Sequence, residues 1–155
     1  MLIPMTGEMV SKYYDLVRHA LDNSLAPTTY ASTETVNNCF LAIYRGDMTC
    51  WALFDRAEND QILLHGFIFT TPTYDACTCV RNLLIYSTYT FTPVKDFLNT
   101  KWVGAMEVLR KFAKEKGYHR IIAYTNVKRV VDIVKSLGGK AEFIFLSLDL
   151  DSEVE

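Results

Sequence analysis

Residues 102–117 read Trp-Val-Gly-Ala-Met-Glu-Val-Leu-Arg-Lys-Phe-Ala-Lys-Glu-Lys-Gly. Apolar side chains recur at helical spacing. Trp102, Ala105, Met106, Leu109, Phe112 and Ala113 fall on one face, and Lys101, Glu107, Arg110, Lys111, Lys114 and Glu115 on the other. Glu107 and Lys111 stand one turn apart in the favourable order. Gly117 is placed to end the helix by taking a left-handed conformation. The spacing predicts a helix over 100–116, with Thr100 as its N-cap.

On the N-terminal side of this helix the period changes near Pro93. Residues 48–55 carry Trp51, Leu53 and Phe54 and read as a strand; Glu58-Asn59-Asp60 reads as a turn. A β-type run follows over 61–70, with Pro72 to Ala76 as its break. Residues 79–91, rich in Leu, Ile, Tyr and Thr, form another. These runs predict an antiparallel meander. Before them, Val10, Tyr13, Tyr14, Val17, Ala20 and Leu21 predict one helix over 8–22. A Pro-Thr-Thr loop leads to a second helix, capped by Ser32 or Thr33 and stopped at Gly46.

On the C-terminal side, a strand over 120–125 precedes Asn126, which caps a helix bearing Val127, Val130, Val131, Val134 and Leu137. Gly138-Gly139 ends it, and a last strand spans 141–149. The predicted fold is α/β (or α+β) in three layers: a mixed, mostly antiparallel sheet, splayed in its middle and flanked by helices. A single domain covers 1–155, with acidic residues 149–155 as a frayed tail.

Bulk properties narrow the function. The chain has 155 residues, 50% of them apolar and 22% charged, as expected of one globular domain with a core. The net charge is −2, and the basic residues are scattered among acids, which argues against nucleic acid as a partner. Apolar runs such as 143–146 are too short to span a membrane, and 1–7 lacks the pattern of a secretory leader. A cytoplasmic protein is expected. The four cysteines then read as reduced thiols. Cys77-x-Cys79 has no second knuckle, and His19, His65 and His119 lie apart, so no metal is expected.

In its last third the chain resembles the GNAT acyltransferase superfamily. Trp102 to Gly117 is similar to that family's long central helix and its glycine stop. Tyr124-Thr125-Asn126, a helix, then Ser136-Leu137-Gly138-Gly139-Lys140 is similar to its ending, where an Asn-capped helix closes on a Leu-Gly-Phe turn. The resemblance covers roughly 83–150, and earlier residues match in element order only. It implies acetyl-CoA, or another acyl-CoA, as cosubstrate. In the family an Arg/Gln-x-x-Gly-x-Gly loop cradles the pyrophosphate at the start of the central helix, where unpaired N–H groups attract phosphate. Alignment on Gly117 places that loop at 97–102, and the chain has Phe-Leu-Asn-Thr-Lys-Trp there, with neither glycine. The helix position at which the family often places a proton-donating tyrosine falls at or beside Val134. Residues 79–91 contain no Asp or Glu to act as a general base.

The resemblance makes Phe91, Thr92, Lys95, Asn99, Thr100, Lys101 and Asn126 the candidate cofactor-binding residues. Tyr86 and Tyr89, late on the central strand, are the candidate proton donors. Each has a plainer reading as strand packing or helix capping. Trp102 is expected in the core or as a plug in the groove. His65 is expected to be structural rather than a base in a cleft. Three functions follow. One is an acyl-CoA-dependent N-acyltransferase acting on a small-molecule or protein amine, with a V-shaped groove between the strand ending at Phe91 and the strand starting at Arg120. The second is a non-catalytic GNAT-like domain, of the kind found among bacteriophage assembly proteins, engaging a protein partner or a second copy of itself. The third is a thiol or metal module at Cys77 and Cys79.

Overall fold

The computed structural model describes residues 1–24, 32–59, 61–91, 97–125 and 128–141, with the side chains of 97–100, 128–130 and 133 left aside. In chain order the elements are β1 (Leu2–Pro4), α1 (Gly7–Lys12), α2 (Tyr14–Asp22), α3 (Thr33–Arg45), β2 (Thr49–Arg56), β3 (Ile62–Asp75), β4 (Val80–Thr90), α4 (Phe97–Glu115), β5 (Ile121–Ala123) and α5 (Lys128–Ser136). The strands form one sheet in sequence order. Neighbours from β1 to β4 are antiparallel, and β4 pairs with β5 in parallel. This is the mixed, mostly antiparallel sheet that the alternating runs predict.

Strand alternation gives each face its own core. On one face, Val10, Val17, Leu21, Val36, Phe40 and Ile43 of α1–α3 pack against Cys50, Ala52, Phe54, Phe67 and Phe69. On the other, Ala105 and Leu109 of α4 meet Leu2, Trp51, Leu53 and Ile68, with Trp102, Met106 and Phe112 half-buried around them. Trp51 anchors this second core. Its ring meets Phe112 edge-on at 4.9 Å, and its indole N–H donates to Thr70 Oγ1 at 2.8 Å. Trp102 therefore belongs to the core beneath α4.

Several boundaries differ from expectation. The single helix over 8–22 is broken at Tyr13 (φ −108°, ψ 27°), where α1 stops and α2 starts. β3 continues through Pro72 to Asp75. The reason lies in the register: β2 begins at Thr49 opposite Thr70, so from Thr71 onward β3 has a ladder partner only in β4 among the described residues. A proline, lacking an N–H, is accommodated at such an edge. β1 was not foreseen. α4 begins at Phe97, so Thr100 lies within its first turn and is not its N-cap. The caps at Ser32, which accepts from the Thr35 N–H, and at Gly46 (φ 82°) are as read. Of the strand expected over 141–149 only Ala141 is described, and it is not in a strand; the rest, with the acidic end, lies outside the described residues.

Candidate functional site

Two β-bulges shape the middle of the sheet. In the β2–β3 ladder, Leu53 faces Gly66 and Phe54 faces Leu64, leaving His65 as the extra residue. In the β3–β4 ladder, Phe69 faces Ser87 and Thr70 faces Ile85, leaving Tyr86 as the extra residue. A bulge interrupts the ladder and re-aims the side chain it carries. Gly66 is required next to the first bulge: a Cβ there would stand 2.1 Å from the Tyr89 carbonyl oxygen.

The second bulge coincides with the end of the β4–β5 ladder. Recorded pairs are Leu83↔Ile121, Leu84↔Ile122 and Ile85↔Ala123. β5 stops at Ala123, while β4 runs on from Tyr86 to Thr90, towards the start of α4. Among the described residues, β4 has no ladder partner on its β5 side from Tyr86 onward.

On the α1–α3 face of this stretch, Tyr89 and His19 meet. Tyr89 Oη and His19 Nε2 are 2.9 Å apart, and the His19 ring lies 5.4 Å from Tyr89 and 6.3 Å from Phe91, centroid to centroid. Phe91 is held at the strand end by its N–H, which donates to the His65 carbonyl at 2.8 Å. Ser24 and the buried Ser87 share a hydrogen bond of 3.2 Å. Nearby, Thr35, Asn38 and Cys39 of α3 face Thr71 and Tyr86 across a cleft of about 330 Å³, with Ala42 and Met48 at its wall. Burial pushes the Cys39 thiol up, and a hydrogen bond from Tyr86 pulls it the other way.

On the α4 face, Asp55 collects cations. Its Oδ2 accepts from Lys101 Nζ and lies 3.0 Å from His65 Nε2. Bonding to Lys101 first, and to His65 second, holds the Asp55 carboxyl down at about 2, against the opposing effect of burial. His65 is 5% exposed, more deeply buried than a partly buried histidine.

Tyr86, Tyr89 and Phe91 thus fall past the last β4–β5 pair, and Lys101 is turned to Asp55. Asn99 and Thr100 are inside α4, and Thr92, Lys95 and Asn126 lie outside the described residues. The alignment that made 97–102 a phosphate loop is corrected, because these residues are helical from Phe97. What the sequence reading missed is His19 and Asp55. His19 carried no signal, whereas Asp55 was visible as an acid ending the apolar run Trp-Ala-Leu-Phe. Among the described residues there is no group of three His, Cys, Asp or Glu side chains that could hold a metal, and no helix long and apolar enough to cross a membrane.

Solved structures with this architecture decide the fold. A ribosomal-protein-alanine N-acetyltransferase from Brucella melitensis biovar Abortus 2308 superposes with a TM-score of 0.64 at 9% identity, covering 97% of this chain and 99% of that one. The fold is that of the GNAT acetyltransferases. A predicted GNAT-type acetyltransferase from Clostridium acetobutylicum, solved with acetyl-CoA, gives a TM-score of 0.65 at 17% identity over 97% of this chain and 96% of that one. AAC(6')-Iy, in complex with a bisubstrate analogue of CoA and acetylneamine, gives 0.64 at 10% identity over 96% and 97%. No family model and no curated protein sequence matches the chain.

Proposed function

We propose that this GNAT-fold chain is an N-acyltransferase that uses an acyl-CoA, acetyl-CoA in the first instance, to acylate an amine. One observation carries the reading: the β4–β5 ladder ends at Ile85↔Ala123 while β4 continues to Thr90, with α4 the next element in the chain. An extended ligand arm containing amides can lie along such a strand edge by backbone hydrogen bonding. The start of a long helix then offers N–H groups to phosphate. The structures solved with acetyl-CoA and with the bisubstrate analogue support the reading.

In the transfer, the amine nitrogen bonds to the thioester carbonyl carbon, the carbon–sulfur bond breaks, the amine loses a proton and the thiolate gains one. Tyr86, at the bulge where the strands part, is our candidate donor to the leaving sulfur. The His19–Tyr89 pair is our candidate acceptor of the amine proton, with His19 Nε2 as the basic atom in the tautomer that leaves it unprotonated.

The non-catalytic reading, a domain that engages a protein partner or a second copy, is favoured by a different observation. The first turn of α4 has no glycine to let a diphosphate approach, and Lys101 is engaged by Asp55. Calorimetric titration with acetyl-CoA, followed by a thiol-release assay over a panel of amines, separates the two. Saturable binding plus amine-dependent release of CoA is the expected result. Absence of binding at millimolar acetyl-CoA would favour the interaction domain.

A further inference from the structure

The turn between β3 and β4, residues 76–79, reads Ala-Cys-Thr-Cys and closes the hairpin in which Asp75 faces Val80. Cys77 and Cys79 are both free and exposed there. The turn is fixed by its own polar groups. Asp75 Oδ1 accepts from the Cys77 N–H at 2.9 Å and from the Thr78 N–H at 3.1 Å. These bonds, Thr78 first and Cys77 second, hold the Asp75 carboxyl below its ordinary value. Cys79 takes a left-handed backbone (φ 54°), and among the described residues no other non-glycine does. A turn usually gives such a position to glycine or asparagine, and backbone held there concentrates at functional sites. The Cys79 sulfur lies 3.9 Å from the Ala76 carbonyl oxygen. It also shares a hydrogen bond with the Tyr74 hydroxyl, which raises the phenol above its ordinary value. Two residues apart, the Cα atoms of Cys77 and Cys79 stand at most about 7 Å from each other, and a turn brings them nearer. A disulfide needs about 4.4–6.8 Å.

We propose that Cys77 and Cys79 form a dithiol redox site, held for closure by Asp75, which a low-molecular-weight disulfide oxidises reversibly to an intramolecular Cys77–Cys79 disulfide. The chemistry balances as two exchanges. A thiolate of the pair attacks one sulfur of the reagent, the reagent's S–S bond breaks, and one thiolate leaves. The second thiol gives up its proton and attacks the protein sulfur of the mixed disulfide, whose bond to the reagent breaks to release the second thiolate. Two electrons pass from the protein to the reagent, and the two protons go to the released thiols. Exposure gives the reagent the access that the first step needs. The one-residue spacer makes the second step intramolecular, at a high effective concentration. Exposed disulfides are the labile ones, so the product returns to the dithiol when reductant is in excess. Cys39 and Cys50 are buried and away from the reagent. The site is independent of the acyltransferase reading and stands whether or not the chain transfers acyl groups.

The test equilibrates the reduced protein with graded mixtures of oxidised and reduced glutathione, traps free thiols with N-ethylmaleimide in denaturant, and maps the tryptic peptides by mass. Residues 57–81 emerge as one peptide that carries both thiols and no other cysteine. The expected product is this peptide lighter by two hydrogens and free of maleimide, while Cys39 and Cys50 carry the label. Excess reduced glutathione should return it to the doubly labelled form. Cys77→Ser and Cys79→Ser should each stop at a mixed disulfide between glutathione and the remaining thiol. Asp75→Ala, with the turn's anchor gone, should need a several-fold higher share of oxidised glutathione for half closure. Glutathione retained on the unmodified peptide without a closed product would overturn the proposal, as would a disulfide joining two chains. A closed form that excess reduced glutathione does not open, or a half-closure point that Asp75→Ala leaves unchanged, would overturn it equally.

Discussion

Asp55 on β2 and His65 on β3 meet at 3.0 Å, Oδ2 to Nε2, across the bulge that makes His65 the extra residue of its strand. Lys101 shares the same carboxylate oxygen, so the cluster ties the first turns of α4 to the middle of the sheet. Its pH dependence has a definite sign. The folded Asp55 carboxyl sits at about 2 against an ordinary value of 3.8, first because of Lys101 and then His65. A depressed acid contributes stability that is present above its unfolded value and is lost as pH falls through the folded one. Asp55→Asn is therefore expected to cost about 1–2 kcal/mol at pH 7, allowing for solvent screening of a part-exposed pair. The cost should shrink between pH 4 and 2. Urea midpoints at pH 7 and pH 2.5 measure it, and a cost independent of pH would show that the charge is not what matters.

Two glycines give opposite predictions. At Gly66 an added Cβ would collide with the Tyr89 carbonyl at 2.1 Å and press on Thr90 Cα at 3.1 Å. Both are backbone, so β3 and β4 must separate, and Gly66→Ala should cost about 2–3 kcal/mol. At Gly104, inside α4 and exposed, nothing lies within 4 Å of the new atom. Gly104→Ala should stabilise by about 0.5–1 kcal/mol through helix propensity. Thermal unfolding of the two variants should move in opposite directions.

The thiols should divide by depth. Cys39 and Cys50 are buried, and Cys77 and Cys79 are exposed in the turn between β3 and β4. Burial raises the Cys50 thiol far above the ordinary range, which removes the thiolate that reagents attack. An Ellman titration of the native protein should count the two exposed thiols within minutes, and denaturant should release the other two. Rapid native reaction of all four would show that the α1–α3 face opens readily.

Much of this fold was legible because period is a local signal. α4 announces itself by the spacing of Ala105, Leu109 and Ala113, all buried where that spacing puts them. β1 was illegible because Leu2–Pro4 is too short to show alternation and ends in a proline. The break at Tyr13 has no proline or glycine to announce it, and the apolar positions continue across it. The site was legible in part. Tyr86 and Tyr89 could be singled out from their strand, but their neighbours could not. His19 and Tyr89 are 70 residues apart, and Asp55 and Lys101 are 46 apart, so these pairs exist only once the sheet brings its ends together.

The bulge at Tyr86 gives β4 a spare residue. Losing one residue from a strand normally reverses the faces of everything beyond the gap. Excision of Tyr86 is the exception, since Ile85 already stands opposite Thr70 and Ser87 opposite Phe69. The shortened strand would zip into an even ladder with Tyr89 and Phe91 still on the α1–α3 face. Excision of Thr88, by contrast, would turn Tyr89 and Phe91 towards α4, and that chain should fail to fold. Length at this one point is therefore neutral for the architecture while deciding whether a cleft exists. A lineage could open or erase the site by a single-codon event without rebuilding the protein around it.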